Sequence, residues 1–418
     1  MTSAQPLPDE HAAYPIVKLT LINVSSHFDQ SDDVEPLLNK ALDIGCACLT
    51  NDETITRSAS TSPSTNEKQG AKNCTSCAAG TDNIARERIS KAVMRFVKPQ
   101  DRYLALGSVL LKSRAYHQTL SEENEGRPES STREGTTSSQ SSLTLVELPR
   151  TKYGKPYISL VDKIDNCEVD DNGSSPSAVQ HTISVSHQFP YVGIARLPAC
   201  SQMRSLHVGL DIAMYEAPNP KLYATSSEFL QVFKDSFTPT EWGCIVDSSA
   251  AWFGRRRKSD EDSRREFYMR WAAKEAYTKA LGLGLGHEFG SFEIAFDCFE
   301  NDDDGIGGLA DALDALGSIK GSDAEGRDKQ IVAKRMTTWG EIRYAEKEDV
   351  AAKDEIWHFT LLELKHLQQG SSADIDTAGC ACVCVGPLEK NRDESDIGAI
   401  VQEEMVSLED ALQWHEHK

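Results

Sequence analysis

Two kinds of hydrophobic pattern recur along this chain, and each predicts a different secondary structure. Short apolar or alternating runs predict β-strands at 14–24, 181–186, 191–195, 207–212, 290–297, 338–344, 356–364 and 381–386. Apolar residues at helical spacing predict helices over 84–117, with a break near Pro99, near 226–235, near 239–247 and over 263–281. Because strands and helices follow each other without a regular β-α-β-α alternation, we predict an α+β fold with mainly antiparallel sheets.

Polar, low-complexity stretches separate these elements, and we predict that they are disordered insertions. They span 51–82, 120–142, 165–180, 300–330 and 369–378. The chain of 418 residues is long enough for two ordinary domains. We therefore divide it into an N-terminal half, 14–200, a C-terminal half, 201–388, and an acidic tail, 389–418, which contains a short amphipathic pattern at 406–414.

The formal net charge of −21 is concentrated in part of the chain. Nine acidic and three basic residues fall in 300–329, and the same numbers fall in 389–418, so these segments hold 12 of the 21 surplus negative charges. Acidic tracts of this kind keep a protein soluble and repel nucleic acid. We therefore expect no nucleic-acid partner.

The sequence contains no sign of membrane insertion or export. No stretch approaches the ~20 consecutive apolar residues of a membrane helix. Residues 1–10 contain neither a basic residue nor an apolar run, which predicts neither a signal peptide nor a transit peptide. We expect a cytoplasmic protein with no membrane partner.

The eleven cysteines include one arrangement that could bind a metal ion. Cys46, Cys48, Cys74 and Cys77 form a C-x-C and a C-x-x-C pair, a spacing that zinc sites use. The segment between the pairs is rich in Ser, Thr and Asn and contains no His. Free cytosolic thiols are therefore the favoured interpretation, and a zinc site is the alternative.

Residues 267–289 carry the most informative chemistry, because they place a carboxylate and an amine on one helical face. Glu275 and Lys279 are four residues apart and therefore lie one turn from each other. Trp271 lies one further turn back on the same side, and the rest of the helix is small and apolar. An exposed surface ion pair is the common alternative, but this setting predicts a partly buried pair.

A second carboxylate, Asp211, comes at the end of an apolar strand. Gly209, two residues earlier, leaves room for close approach of another backbone. A turn cap is the alternative role for an Asp in this position. If Asp211 meets Glu275 in the fold, the two could hold Mg²⁺, which takes one or two protein carboxylates with waters and a substrate phosphate.

Ser186 and His187 end another alternating strand. Adjacent residues on a strand point to opposite faces, so a Ser-His hydrolase dyad is disfavoured. A strand-end His is either a buried structural group or a phosphate ligand. Lys155 lies in a basic turn, 150–156, that either is solvated or presents its charge to a ligand.

The glycines at 282, 284 and 286 invite comparison with a phosphate-binding loop. Such a loop precedes a helix, because the helix N-terminus supplies the N–H groups that hold the phosphate. These glycines follow a predicted helix instead. We therefore predict that they end the helix and lead into the next strand.

In this order, the segments resemble the surfactin-type 4′-phosphopantetheinyl transferases and, within them, the eukaryotic aminoadipate-semialdehyde-dehydrogenase phosphopantetheinyl transferase branch. The strongest match is a W-x-x-K-E-x-x-x-K helix with its glycine turn, 271–286. The other matching segments are 101–112, 154–156, 186–188, 208–212 and 237–242. The resemblance covers about 14–388, interrupted by the insertions. It implies a pseudo-dimer of two similar α+β halves with a coenzyme A cleft between them.

The family implies that coenzyme A donates its phosphopantetheine arm to a serine of an apo carrier protein, with release of adenosine 3′,5′-bisphosphate. Catalysis of such phosphoryl transfer consists mostly of positioning and charge neutralisation. By resemblance, Asp211 and Glu275 hold Mg²⁺, Glu275 also accepts the serine proton, and Lys279 contacts the phosphate. The implied cofactor-binding residues are Arg150, Lys155, Ser184, Ser186, His187 and Arg88, with Arg95 as the alternative to Arg88.

Two positions depart from the family pattern. Ser184 stands where the family usually has Asn, and the shorter side chain weakens one expected contact with coenzyme A. Ala213 stands where many bacterial members have a third acid, which the eukaryotic branch also lacks. The resemblance therefore implies a metal ion held by two carboxylates and waters.

The implied partners are carrier proteins of fatty-acid, polyketide, peptide or lysine biosynthesis, and the implied activity is that of a holo-[acyl-carrier-protein] synthase. Carrier proteins are acidic, so docking requires a local basic surface. Residues 255–258 with Arg264 and Arg265 provide one, and a solvated loop is the alternative. Because two halves are fused in one chain, we expect a monomer.

Two rival functions remain open. One is a catalytically inactive protein of the same fold that binds coenzyme A or a carrier, against which the intact Asp211, Glu275 and Lys279 argue. The other is a Mg²⁺-dependent pyrophosphate hydrolase, which would use water as the acceptor. No added acid for a second metal ion accompanies the pair in the sequence motifs.

Overall fold

A computed structural model of the chain describes residues 15–28, 31–43, 46–48, 75–125, 144–160, 179–198, 205–246, 259–296, 332–344, 356–365, 377–388 and 400–416. These residues form two five-stranded sheets, one two-stranded sheet and the helices packed on them. The predicted α+β class with mainly antiparallel sheets is confirmed. The five predicted insertions lie largely outside the described residues.

The first sheet has the order β12-β1-β6-β5-β4. Its strands are β1 (Ile16–Asn23), β4 (Tyr157–Leu160), β5 (Val179–Gln188), β6 (Tyr191–Arg196) and β12 (Ile400–Ser407). The helices of this half are α1 (Ser25–Phe28), α2 (Glu35–Asp43), α3 (Thr75–Met94) and α4 (Pro99–Glu125). The small sheet pairs β2 (Cys46–Cys48) with β3 (Leu145–Glu147).

The predicted helix break near Pro99 is confirmed, because α3 ends at Met94 and α4 begins at Pro99. Four predicted insertion boundaries are wrong. Strand β5 begins at Val179, inside 165–180, and β11 (Thr377–Leu388) begins inside 369–378. Helix α3 begins at Thr75, inside the predicted insertion 51–82, and α4 extends to Glu125, inside 120–142. The polar composition of the two helix ends resembles that of a loop, which explains the helix errors. The two strand boundaries differ from the predicted ones by two residues, which is within the usual uncertainty of element ends.

The second sheet has the order β7-β11-β10-β9-β8 and is antiparallel throughout. Its strands are β7 (His207–Met214), β8 (Phe292–Phe296), β9 (Val332–Tyr344), β10 (Ile356–Lys365) and β11 (Thr377–Leu388). The helices of this half are α5 (Ser226–Gln231), α6 (Pro239–Val246) and α7 (Asp260–Leu281). Helix α7 packs across β7 and β11.

The chain from 400 to 416, which the sequence places in a separate tail, is part of the first half. Strand β12 pairs in parallel with β1, and α8 (Leu408–Glu416) packs on α4. Arg114 of α4 pairs with Glu404 at 2.9 Å and stacks over the Trp414 ring at 3.4 Å. The side chains of Leu408, Ala411 and Leu412 are buried. From the sequence alone this segment is predicted as a tail, because acidic residues dominate its composition and the apolar positions are few.

Side chains join the two halves where their edges meet. Strand β7 is an edge strand, so its outward N–H groups need partners from outside its own sheet. Alternate residues of β5 supply them: Leu210 N donates to Ser184 Oγ at 2.8 Å, Ile212 N to Ser186 Oγ at 3.2 Å and Met214 N to Gln188 Oε1 at 3.0 Å. These bonds fix the register of β7 against β5.

A partly buried charge cluster holds α4 on the first sheet. Arg196 donates to both oxygens of Glu122 at 2.7 and 2.8 Å, and Lys18 donates to Oε1 at 2.7 Å. Burial alone would raise the pKa of Glu122, but these hydrogen bonds outweigh it and lower the pKa to about 2. The carboxylate therefore stabilises the fold in its ionised form.

Glu122→Gln is expected to lower the free energy of unfolding at pH 7 by about 2–3 kcal/mol, because it removes this charged network. The folded pKa lies below the ordinary value, so the stabilisation is complete above pH 4.5 and is lost as the pH falls from 4.5 toward 2. Urea unfolding at several pH values checks this. A loss that stays constant down to pH 3 would contradict it.

Candidate active site

The site is built where α7 crosses β7 at very short range. A β-carbon placed on Gly209 would lie 1.8 Å from the Ala276 carbonyl oxygen, so only glycine permits this contact. Asp211 is two residues further along β7 and points to the same face. The close approach therefore brings Asp211 beside Glu275 of α7, and the electrostatic effect of Asp211 on the pKa of Glu275 reflects this.

Helix α7 is strongly defined at both ends. Ser259 caps its N-terminus and forms a capping box with Asp262, with bonds of 3.1 and 3.0 Å. Gly282 ends it in a left-handed conformation, with φ of 75°, as the sequence predicts. Small buried residues face the sheet and let the backbones approach: Ala272, Ala273, Ala276 and Ala280.

Asp211 and Lys279 form a partly buried ion pair. Lys279 Nζ lies 2.5 Å from Asp211 Oδ1, and Ser186 Oγ donates to the same oxygen at 2.9 Å. The carboxylate of Glu275, one turn before Lys279, makes no hydrogen bond within the described part of the chain. Burial raises the pKa of Glu275, the neighbouring Asp211 raises it further, and Lys279 partly offsets this.

These two carboxylates fit a divalent cation. Within the described residues, Asp211 Oδ2 and both oxygens of Glu275 are not engaged, and hard oxygen donors are what Mg²⁺ prefers. The mutual repulsion that raises the pKa of Glu275 is also what a bound cation would relieve. In the described ranges, no group of three or more His, Cys, Asp or Glu side chains is arranged so that it could hold a metal ion, so the pair stands without a third protein ligand there.

A basic cleft of about 360 Å³ lies beside this pair, between the two halves. Six basic side chains line it: Arg95, Lys112, Arg150, Lys155, His187 and Lys279. No acidic side chain from the described residues lines it. A cleft of one sign of charge in a chain with net charge −21 is suited to a polyanionic ligand.

The basic turn before β4 contributes two predicted residues. Arg150 donates to the Gly154 carbonyl at 2.9 Å while it lines the cleft. Lys155 Nζ donates to the Val208 carbonyl at 3.1 Å and to the Ala280 carbonyl at 2.7 Å. Burial lowers the pKa of Lys155 to about 8. Lys155 therefore ties the first half to the end of α7 as well as lining the cleft.

The predicted residues of β5 have different surroundings. Ser184 and His187 line the cleft, whereas Ser186 lies behind it in contact with Asp211. Both serine hydroxyls accept β7 N–H groups. Burial lowers the pKa of His187, and the nearby Lys279 and Lys112 lower it further.

The structure separates the two candidate N-terminal arginines. Arg95 lines the cleft. Arg88 lies seven residues earlier, about two turns back along α3, and pairs with Glu147 at 3.6 Å. Arg88 is not among the described residues that line the cleft.

Lys112 and Lys274 are functional candidates to which the motifs assigned no role. Lys112 of α4 lines the cleft, and burial, followed by the charge of Arg150, lowers its pKa to about 8. Lys274 is fully buried and pairs with Glu241 at 2.7 Å, which links α7 to α6 directly behind Glu275. Helical spacing alone could not have found Lys112, because Ser108, one turn away, was also identified as a cleft residue only in the structure.

The predicted docking and zinc residues fall only partly within the described chain. Residues 255–258 of the basic run and Cys74 of the cysteine group lie outside the described residues. Arg265, from the same basic run, pairs with Glu363 and stacks near Tyr215.

None of the helices in the described ranges has both the length and the apolar character needed to cross a bilayer.

Comparison with known proteins points in one direction. Residues 207–306 match the 4′-phosphopantetheinyl transferase superfamily. The chain is 31% identical over 141 residues to a phosphopantetheinyl transferase of Thraustochytrium sp., an alignment that covers 34% of this chain and 39% of that protein. These matches confirm the predicted family resemblance, and the region matched by the family model includes β7 and α7.

Several of the similar proteins carry the name L-aminoadipate-semialdehyde dehydrogenase-phosphopantetheinyl transferase, and two of them represent the group. The Homo sapiens protein is 30% identical over 149 residues, which cover 36% of this chain and 38% of the relative. The Schizosaccharomyces pombe protein is 32% identical over 146 residues, which cover 34% and 44%. The aligned regions thus span about two fifths of the length of these relatives.

Proposed function

We propose that this protein transfers the 4′-phosphopantetheine arm of coenzyme A to a serine of an apo carrier protein and releases adenosine 3′,5′-bisphosphate. The observation that carries the proposal is the Asp211–Glu275 pair, which Lys279 connects to a cleft lined by six basic side chains, because Lys279 lines the cleft and bonds to Asp211. Coenzyme A is a polyanion whose pyrophosphate is the reacting group. The names of the similar proteins support the same reaction.

Glu275 and Asp211 are the proposed catalytic and metal-binding residues. Mg²⁺, when held by Asp211 and Glu275, would neutralise the pyrophosphate charge. Glu275 keeps the role that the resemblance implies, acceptance of the serine proton. Lys279 reaches the cleft and would stabilise charge on the transferred phosphate.

The remaining cleft residues would hold coenzyme A. Arg150, Lys155, His187 and Ser184 keep the role that the resemblance implies, and we propose Arg95 in place of Arg88 because Arg95 lines the cleft. We assign Ser186 to the support of Asp211, since its hydroxyl is engaged there. Lys112 is a further proposed anion contact.

The wider architecture is also part of the proposal. Each half has a five-stranded sheet with a long helix, α4 in one and α7 in the other, which supports a pseudo-dimer of similar halves. We propose a monomer that acts on acyl, peptidyl or aminoadipate-reductase carrier domains, as a holo-[acyl-carrier-protein] synthase. The one-chain cleft needs no second copy to complete it.

One assay tests the proposed reaction. The protein is incubated with coenzyme A, Mg²⁺ and an apo carrier, and the carrier is weighed by mass spectrometry. A gain of one phosphopantetheine is expected. Cleavage of coenzyme A without a gain would indicate a pyrophosphate hydrolase, and binding without reaction would indicate an inactive binding protein.

Coenzyme A affinity is expected to fall above pH 8. Lys112 has a pKa of about 8 in the free protein, and a bound anion would raise it, so binding above pH 8 requires proton uptake. For this one group, affinity falls by up to about tenfold per pH unit until the pKa of the complex is reached.

Calorimetric titration with coenzyme A between pH 7 and pH 10 measures this dependence. Lys112→Met should weaken coenzyme A binding at pH 7 and reduce the decrease in affinity above pH 8. The decrease that remains in this variant is attributed to Lys155, whose pKa is also lowered to about 8. Lys152→Met is the matched control, since Lys152 is exposed on the basic turn. Equal alkaline slopes for Lys112→Met and the unmodified protein would contradict the assignment of Lys112.

A further inference from the structure

Lys279 is bound to the carboxylate that the proposed metal site requires. Its ammonium contacts Asp211 Oδ1 at 2.5 Å and Ser186 Oγ at 3.0 Å. The pair is sheltered, because only 10% of the Asp211 side chain and 28% of the Lys279 side chain are exposed. The ammonium therefore occupies the place of a counter-cation at one of the two candidate metal ligands.

The two partners differ in their freedom to move. Ser186 holds the Asp211 carboxylate at 2.9 Å, and Asp211 lies on a strand whose N–H groups are fixed by β5. Lys279 has a flexible four-carbon stem, and its side chain also lines the basic cleft. If the ion pair opens, Lys279 is therefore the partner whose side chain moves, and it moves into the cleft that it already lines.

We propose that Lys279 is an internal counter-cation that competes with the divalent metal ion for Asp211, so that an anion in the cleft promotes metal binding by drawing Lys279 away. This inference rests on the proposed function, because it takes Asp211 and Glu275 as the metal ligands. It deepens that function by making metal and coenzyme A binding mutually dependent. Such coupling is reciprocal: each ligand raises the affinity of the other by the same factor.

Glu275 supports a competition centred on Asp211. Lys279 and Glu275 are one turn apart on α7, yet the ammonium bonds to Asp211 on the neighbouring strand. Glu275 keeps its carboxylate without a hydrogen bond in the described residues. A metal ion arriving at Glu275 thus meets one available carboxylate and one whose charge Lys279 already neutralises through Oδ1.

Metal binding to the protein without coenzyme A distinguishes two roles of Lys279: competition with the metal ion for Asp211, and a contact with the phosphate of the ligand only. Free Mn²⁺ is measured by electron paramagnetic resonance during titration of the unmodified protein, Lys279→Met and Lys112→Met. Both variants remove one positive charge from the cleft, but only Lys279 contacts Asp211. Lys279→Met should bind Mn²⁺ about tenfold more tightly than the unmodified protein, a factor typical of coupled sites.

Lys112→Met is the control for the loss of one positive charge from the cleft. Lys112→Met should change the Mn²⁺ affinity by less than about threefold, since its charge acts only from a distance. If Lys279→Met binds Mn²⁺ no more tightly than Lys112→Met, the competition is overturned. Circular dichroism and thermal unfolding confirm that each variant is folded before titration.

A second arm measures the coupling itself. In the unmodified protein, saturating coenzyme A should increase the Mn²⁺ affinity by a measurable factor. In Lys279→Met this increase should be smaller, by about the factor by which the substitution alone raises the Mn²⁺ affinity without coenzyme A. An undiminished factor would overturn the inference. Failure of the unmodified protein to transfer phosphopantetheine would count against the proposed function, while the ligand-free titration would still decide the role of Lys279.

Discussion

Glu275→Gln is expected to abolish modification of the carrier, with a loss of transfer rate of at least about a thousandfold. Glutamine has nearly the same shape but can neither accept the serine proton nor carry the charge that a metal ligand needs. Both proposed roles of Glu275 would therefore be lost in one substitution. Transfer at the rate of the unmodified protein would refute the assignment of the site.

The same variant should be at least as stable as the unmodified protein. The pKa of Glu275 is raised in the folded state, chiefly by burial and then by Asp211, so its ionised form costs stability at neutral pH. This cost appears as the pH rises from 4.5 through the folded pKa. Glutamine removes it, and a gain in stability with a loss of function is the pattern of a strained active site.

Carrier mass spectrometry and urea unfolding at pH 7 measure the two effects together. Glu261→Gln is the matched control, because Glu261 lies exposed in the first turn of the same helix. It should transfer at the rate of the unmodified protein. A Glu275→Gln protein that is both inactive and clearly destabilised would point to a structural role instead.

Gly209→Ala is expected to have the largest effect on stability, about 3 kcal/mol or more, at the upper end of the cost of overpacking. The added methyl group would lie 1.8 Å from the Ala276 carbonyl oxygen and 2.8 Å from the Ala280 nitrogen. Backbone atoms cannot rotate away as a side chain can. Helix α7 must therefore move off β7, which also separates Asp211 from Glu275.

Gly243→Ala supplies the control for this substitution. Gly243 lies inside α6, and a β-carbon there would meet nothing within 4 Å. Alanine should stabilise that helix by up to about 1 kcal/mol. Denaturant unfolding of both variants tests the contrast. Equal stability of Gly209→Ala and the unmodified protein would show that α7 and β7 do not make this close backbone contact.

Much of the second half could be predicted from the sequence, because its signals are local. The end of α7 follows from Gly282, and β7, β10 and β11 contain apolar runs, whereas α7 begins at Asp260, three residues before the predicted start at 263. Strand β12 and helix α8 were missed as parts of the fold, because a few apolar residues among many acids do not reveal a partner. Their partner, β1, lies near the opposite end of the chain.

The same distinction between local features and contacts between elements applies to the candidate site. The residue types at Asp211, Glu275 and Lys279 and the end of the helix at Gly282 were determined by the sequence alone, since each depends on spacing within one element. The tertiary structure decided that Lys279 bonds to Asp211, that Arg95 rather than Arg88 lines the cleft, and that Ser186 supports Asp211. These relations join different elements, and only the packing of α7 against β7 and of β7 against β5 sets the distances between them.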